Sequence, residues 1–306
     1  AETADYAALG AGSYHWVVVD AAETRRFVTV DDLDQKRWLG ETRDIAYEAL
    51  GHAFDTAVAL QNAGLQFVVA PVPTSEGDSV RRVGQRHTVA LFPFVDGRPG
   101  RWGAYEPGDR QVVVSMLAEL HHTAPAFDSV VRTLGLELAG RRVLEAALRE
   151  ANEAWSGGPL SEPARQAFST HAADLAAFLS LADRLAAAVE SRAAAWVVTH
   201  GEPHAGNVMR AGSGHVLVDW DTVALAPRER DLWWLADEAD DLAAYAEMTR
   251  HRIDLEAVDF FRLAWDLDDV AAYVDVLRSP HVENEDMLDA YEGITRCMPS
   301  REEWLS

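Results

Sequence analysis

The apolar pattern of this chain changes period near residue 95 and reverts only once, between 195 and 219; that ordering restricts the fold more than any other feature. Up to residue 94, short β-branched and aromatic runs alternate with turn signals. Tyr6–Leu9 and Tyr14–Val19 flank Gly10-Ala11-Gly12-Ser13, and Arg26–Val30 follows, which predicts a hairpin and a third strand. A helix is expected over Glu41–Ala63, with Ile45, Ala49, Ala53, Ala57 and Leu60 on one face and Gly64 as its stop. Gln66–Ala70 and His87–Phe94 read as further strands around a loop from Pro71 to Gly84. Val95–Gly108, with four glycines and two prolines, has the composition of a hinge. Beyond it the spacing becomes helical. Helices are expected over Asp109–His121, Gly140–Ala154, an alanine-rich Glu162–Ser191, Pro227–Asp237 and Leu255–Arg278. The last carries Phe260, Leu263, Leu267, Val270, Val274 and Leu277 as a core-facing stripe. Short strands at Ala195–Thr199, Val208–Arg210 and Val216–Asp219 interrupt this half around two polar loops. The sequence therefore predicts an α+β chain in three parts: an antiparallel β lobe with one helix over 1–94, a hinge over 95–108, and a mainly helical lobe over 109–306.

Composition removes several classes of function. The 27 Lys+Arg against 50 Asp+Glu give a formal charge of −23, which repels DNA and anionic lipid, and no local basic patch offsets it. No nucleic-acid partner is expected. No run reaches the roughly 18 uncharged apolar residues of a membrane span. The N-terminus, with Glu2 and Asp5, lacks the basic and apolar regions of a leader, so no membrane partner and a cytoplasmic location are expected. No pattern sets an oligomeric state. The single cysteine, Cys297, excludes intramolecular disulfides and multi-cysteine metal sites. Lys36 is the only lysine, so any chemistry that needs one has a single donor.

Two loops and a turn have the residues for chemistry. In His200-Gly201-Glu202-Pro203-His204-Ala205-Gly206-Asn207, the histidines are spaced as in helical zinc sites, but Gly201, Pro203 and Gly206 oppose a helix. The His-x-Glu of a zinc deaminase needs a downstream cysteine pair, which is absent. In Val218-Asp219-Trp220-Asp221-Thr222, an apolar strand delivers carboxylates at its end. With Glu202 and Asn207 they form a set suited to a hard cation such as Mg²⁺, with phosphate oxygens completing its shell; a solvated hairpin explains the same charges about equally well. Gly10-Ala11-Gly12-Ser13 lets backbone N–H groups approach a polyphosphate, or simply turns a hairpin; it is not a Walker loop. In combination, a glycine loop in a β lobe, a hinge, and a helical lobe with a His-Gly-acid-loop-Asn and a strand-end Asp are the parts of a bilobal kinase in their expected order.

On these motifs the sequence resembles the aminoglycoside phosphotransferase family of kinase-like small-molecule phosphotransferases, and most nearly its spectinomycin-kinase-type branch. The family's His-Gly-Asp, four variable residues and Asn is matched by His200, Gly201, Glu202 and Asn207, and its strand followed by Asp-Trp-acid by Asp219, Trp220 and Asp221. Ala226-Pro227-Arg228-Glu229-Arg230-Asp231-Leu232 looks like the branch's helix start. The resemblance implies a protein-kinase-like fold and transfer of the γ-phosphate of ATP or GTP to a hydroxyl of a small cationic antibiotic or metabolite. It implies that Asn207 and Asp219 hold Mg²⁺, that Glu202 takes the base position, and that His200 and Asp231 support the loop. Gly10, Gly12, Ser13, Thr29, Phe94 and Val95 would line the nucleotide site, with Phe94 and Val95 meeting the adenine. Trp265, Asp266 and Asp269 lie where the family builds its acceptor pocket; a solvent face with one half-buried Trp explains them about equally well.

Two departures qualify the match. The family's third strand carries a lysine for the α/β-phosphates, and the corresponding position looks like Thr29; Lys36, Arg26 and Arg82 are the cations from which a substitute would come. Glu48 is the best candidate for the helix glutamate that pairs with that lysine, and an ordinary exposed helix glutamate explains it at least as well. Glu202 replaces an aspartate, which keeps the carboxylate and lengthens its reach by one methylene. An active kinase is the leading reading. The alternatives are a degenerate kinase fold that binds without turnover, motivated by Thr29, and a metal-dependent hydrolase using the histidines and carboxylates.

Overall fold

A computed structural model of the chain describes residues 2–7, 13–106, 108–123, 131–192, 196–212 and 214–305. In chain order its elements are β1 (Thr3–Ala7), β2 (Ser13–Val19), β3 (Arg25–Asp32), α1 (Arg43–Asn62), β4 (Arg81–Val83), β5 (His87–Pro93), β6 (Gly97–Pro99) and α2 (Asp109–His122). There follow α3 (Arg141–Arg149), α4 (Ser161–Thr170), α5 (Ala172–Ser191), β7 (Val197–Thr199), β8 (Val208–Ala211), β9 (Gly214–Leu217) and β10 (Ala224–Ala226). The chain closes with α6 (Glu229–Leu232), α7 (Ala239–Thr249), α8 (Leu255–Arg278), α9 (Glu285–Arg296) and α10 (Arg301–Trp304). Two compact units result, Ala1–Leu134 with Ala194–Ile253, and Gly135–Ala193 with Asp254–Ser306. Among the described residues no helix is long and apolar enough to cross a membrane.

The first unit holds an antiparallel sheet in the order β1-β2-β3-β5-β4. Strand alternation gives β3 two different faces. Phe27, Thr29 and Asp31 share the face on which Ala90 and Phe92 of β5 meet α1, while Arg26 and Val28 point the other way. Thr42 caps α1 by accepting the Ile45 N–H at 3.3 Å, and Ala46, Ala49, Leu50, Ala53, Phe54, Ala57 and Leu60 are buried. Ile45, expected on that face, is 50% exposed because it sits in the first turn, ahead of the sheet. Glu48 is also exposed on α1. Gln66–Ala70 is no ladder strand: Phe67, Val68, Val69 and Ala70 are buried, and Val68 forms one parallel bridge to Leu217. A run buried on all sides carries no period that separates strand from core-lining loop. β4 lies inside the stretch read as a loop, and β6 lies inside the hinge composition.

The hinge glycines have a packing reason. A side chain on Gly97 would strike the Arg210 carbonyl of β8, which β6 pairs, and one on Gly100 would strike the Ala205 carbonyl. The close approach of two backbones selects glycine there.

The second unit is helical and built on α8. The expected stripe Phe260, Leu263, Leu267, Val270, Val274 and Leu277 is buried throughout. Asp254 caps its start through the Glu256 N–H. Asp268 accepts the Gly140 N–H at 2.8 Å, pinning the start of α3 to α8. Glu162–Ser191 is not one helix but α4 and α5, broken at His171. The Ser169 and Thr170 hydroxyls bond the Arg165 and Ala167 carbonyls, so side chains compete for the last turn of α4. In the first unit, Pro227–Asp237 shortens to α6 followed by a 3₁₀ turn, Trp233–Leu235. Helices α7 of the first unit and α9 of the second, both with acidic first turns, are not expected from the spacing.

Candidate functional site

Both polar loops join the same two ladders. β7 pairs β10, with Thr199 opposite Ala224, and β8 pairs β9, with Val208 opposite Leu217. The loop 200–207 runs from β7 to β8 and the loop 218–223 from β9 to β10, so strand pairing lays them side by side. Three hydrogen bonds stitch them. His200 Nε2–H donates to the Val218 carbonyl at 2.9 Å, the Val218 N–H donates to the Asn207 carbonyl at 3.0 Å, and the Thr222 hydroxyl donates to the His200 carbonyl at 2.8 Å. Trp220, fully buried, packs edge-on against the His200 ring.

Asp231, at the third position of α6, accepts the backbone N–H groups of His200 at 2.8 Å and Gly201 at 2.6 Å, and His121 Nε2 at 3.0 Å. Burial alone would raise its pKa; the hydrogen bond and charge of His121 hold it below the ordinary carboxylate range. His200 is fully buried, and burial pushes its pKa down to about 4. It is therefore neutral, with Nδ1 free to accept the Glu202 N–H at 3.1 Å. Gly201 is required twice over: φ is +98°, and a side chain there would overlap the Arg230 guanidinium. Arg230 in turn donates to Thr199 Oγ1 and the Thr222 carbonyl, both at 2.9 Å.

Glu202, Asn207 and Asp219 come together at these loops. The Asn207 amide donates to the Glu202 carbonyl at 2.9 Å and contacts His204 Nε2 at 3.2 Å, which leaves its carbonyl oxygen uncommitted to the loop. Glu202 is raised to about 8, by burial first and then by the charges of Asp221 and Asp219. Asp219 is raised to about 7 by dehydration and by Asp221. Solvent reaches the Asp219 side chain, which weakens the effect of dehydration and leaves repulsion from Asp221 as the main cause. Asp219 also has φ +65°, an uncommon conformation for a residue with a side chain. Crowded carboxylates facing a carbonyl oxygen fit a hard divalent cation. Among the described residues no three His, Cys, Asp or Glu side chains form a preformed metal cage.

Other expected site residues are placed as follows. Gly10 and Gly12 lie outside the described residues. The Ser13 hydroxyl donates to Asp31 at 2.6 Å. Thr29 is buried with Oγ1 3.2 Å from His15 Nδ1. Phe94 and Val95 follow β5, with the Arg25 guanidinium 4.1 Å over the Phe94 ring. Trp265, Asp266 and Asp269 lie half-buried on α8 of the second unit; burial raises Asp266 to about 7 and Asp269 to about 6. Arg26 is on the face of β3 opposite Thr29, and Arg82 bonds Asp44 at 2.5 Å.

Several participants carried no signal of their own in the sequence. His121, Arg230 and Asp31 act through side chains brought from distant positions, and only the uniqueness of Lys36 singled that residue out. Lys36 Nζ lies 2.6 Å from Asp221 Oδ2 and 3.2 Å from Asp31 Oδ1. Beside the loop, Trp102 and Trp234 pack edge-on to His204 with ring centres 4.3 and 5.1 Å away.

A family model described as the phosphotransferase enzyme family matches residues 16–273. Protein StrN of Streptomyces griseus is 26% identical over 271 residues, 86% of this chain and 81% of its own length. A solved spectinomycin phosphotransferase, in complex with ADP and spectinomycin, matches with TM-score 0.75 and 17% identity over 97% of this chain and 90% of its own. An amicoumacin kinase solved with AMP-PNP and Ca²⁺ matches with TM-score 0.60 and 12% identity over 100% of this chain and 92% of its own. The α+β, kinase-like fold is shared with these two solved structures.

Proposed function

The chain belongs to the phosphotransferase enzyme family and is a small-molecule kinase, and on that premise we propose that it moves the γ-phosphoryl group of ATP or GTP to a hydroxyl of a small cationic acceptor of the aminocyclitol or aminoglycoside type. The observation that carries this reading is the convergence of Glu202, Asn207 and Asp219 on two loops stitched by His200, Val218 and Thr222. A relative with ADP and spectinomycin bound, and another with AMP-PNP and Ca²⁺, support a nucleotide and a divalent cation.

In this reading the β lobe over 1–94 binds the nucleotide and the hinge over 95–108 meets its base at Phe94 and Val95, where the lobe ends. Asn207 Oδ1 and the Asp219 carboxylate hold Mg²⁺, which when bound neutralises phosphate charge and orients the transferring group. With a cation offsetting the charges of Asp219 and Asp221, Glu202 would be ionised and would accept the proton of the acceptor hydroxyl as that oxygen takes the γ-phosphoryl group and the nucleoside diphosphate leaves. Such transfer depends on position and charge more than on covalent help, so a carboxylate one methylene longer serves if the acceptor sits correspondingly further back. Asp231 and His200 fix the loop. Trp265, Asp266 and Asp269 recognise the cationic acceptor, whose charge offsets carboxylates that burial leaves reluctant to ionise.

The test is calorimetric titration of ATP and GTP, with and without Mg²⁺, into wild type and Asp219→Ala, followed by phosphate-transfer assays with spectinomycin-like and aminoglycoside acceptors. Mg²⁺-dependent binding lost in the variant is expected; phosphoryl transfer that survives Asp219→Ala would refute the assignment. Thr29, a neutral residue where the family has a cation, favours a second reading, a nucleotide- or ligand-binding protein without turnover. Activity that arises only in Thr29→Lys would establish it.

A further inference from the structure

We infer that Lys36, projecting from the turn after β3, is the phosphate-binding cation of this site, tethered between Asp31 of β3 and Asp221 of the loop that carries Asp219. This rests on the kinase reading above.

The one cation that the strand supplies on the face that matters, Arg25 at its start, is engaged by Asp96 at 3.0 Å and lies over the Phe94 ring. Phe27, Thr29 and Asp31 occupy that face, and at its lower end Asp31 is buried with its oxygens taken by Ser13 at 2.6 Å, Thr88 at 3.2 Å and Lys36 at 3.2 Å. Arg26 faces away and Arg82 is engaged by Asp44. Lys36 instead reaches back from beyond the strand, and its ammonium also meets Asp221 at 2.6 Å. All three side chains are at least nine-tenths buried, with 5%, 2% and 8% exposure for Lys36, Asp31 and Asp221. The Trp38 ring lies 5.2 Å from Nζ and screens it.

A structural role alone explains this arrangement poorly. Burying an ammonium and two carboxylates costs about as much hydration as their attraction returns, so such a cluster is weak evidence for stability. Its location is informative: the ammonium joins a loop bearing the carboxylate proposed to hold Mg²⁺ to the sheet face proposed to meet the nucleotide. An ammonium has three donors. Asp31 and Asp221 take two among the described residues, and the third is available to a phosphate oxygen. In the familiar kinase arrangement a strand lysine is held by a helix glutamate; here Glu48 is exposed, and the partner carboxylates come from the strand and the metal loop. The phosphate cation and the metal-binding loop then move as one piece.

The experiment titrates adenosine, AMP, ADP and ATP with Mg²⁺ into wild type and Lys36→Met, with circular dichroism confirming the fold. Because removing the ammonium strands two buried carboxylates, Asp31→Asn/Lys36→Met is measured alongside. Loss of a charge-assisted hydrogen bond predicts ADP and ATP affinity about ten- to a hundredfold weaker, with adenosine affinity unchanged. Adding Thr29→Lys to either variant is expected to restore part of the loss. Equal weakening of adenosine and ATP, unchanged ATP affinity, or tighter ATP binding would each overturn the inference. Absence of ATP binding to wild type would instead defeat the kinase reading and this inference with it.

Discussion

The Asp231 carboxylate accepts the Gly201 backbone N–H at 2.6 Å, across thirty residues of sequence, and thereby fixes the loop that carries Glu202. The same carboxylate holds the His200 N–H and His121, and no water reaches it. Asp231→Ala therefore leaves several buried donors without an acceptor. Breaking a buried charged network of this kind costs about 3–5 kcal/mol. Urea unfolding is expected to show a loss of that size, with phosphoryl transfer lowered as well. A change under 1 kcal/mol would mean that the loop does not depend on this carboxylate.

Gly201 tests position rather than stability. A methyl group there meets the Arg230 guanidinium, and φ of +98° is strained for alanine. The loop or Arg230 has to shift, and misplacement by about 1 Å can cost on the order of 10²-fold in rate. Gly201→Ala is expected to lower kcat by about that factor while nucleotide affinity, set elsewhere, changes little. Wild-type kcat in the variant would refute the argument.

Glu202 and Asp219 make stability fall as pH rises. Both are raised in the folded protein, Glu202 to about 8 from an ordinary 4.5 and Asp219 above its ordinary 3.8 through repulsion from Asp221. Below the ordinary values both states hold their protons and nothing is lost. Between about pH 4 and 8 the unfolded chain releases protons that the folded chain retains, which favours unfolding. In metal-free buffer, Asp219→Asn and Glu202→Gln should therefore melt at higher temperature than wild type at pH 8 and close to it at pH 4. Asp231 has the opposite sign: its pKa is lowered, so its contribution is present above the ordinary range and lost in acid. Variants that are no more stable at pH 8 would show that the carboxylates are not in conflict.

Much of this was legible in the sequence because it is local. The α8 stripe, most of the buried face of α1 and the loop motifs all follow from spacing within one element or one turn. The missing parts depend on tertiary placement. Ile45 fits the helical period yet lies outside the sheet's footprint, Gln66–Ala70 is apolar without a period, and the break at His171 comes from hydroxyls that read as ordinary helix residues. At the site, Glu202, Asn207 and Asp219 were visible as motif positions. The Lys36–Asp221 contact spans 185 residues, and Thr29 drew attention to the absent charge without indicating where it had gone.

Glu202 offers the sharpest separation of chemistry from binding. Its backbone N–H is held by His200 and its carbonyl by Asn207, so the loop geometry does not depend on its carboxylate. Glu202→Gln keeps size and removes the proton acceptor. General-base assistance contributes typically 10²- to 10⁴-fold, so kcat is expected to fall by that order with Mg²⁺-nucleotide affinity retained. Glu202→Asp keeps the acceptor but withdraws it by one methylene from an acceptor hydroxyl seated for glutamate. It should retain more activity than Glu202→Gln and less than wild type, with the deficit in kcat rather than in nucleotide binding. Steady-state kinetics on a confirmed acceptor, paired with nucleotide calorimetry, measure both; if Glu202→Gln turns over like wild type, the carboxylate is not the base.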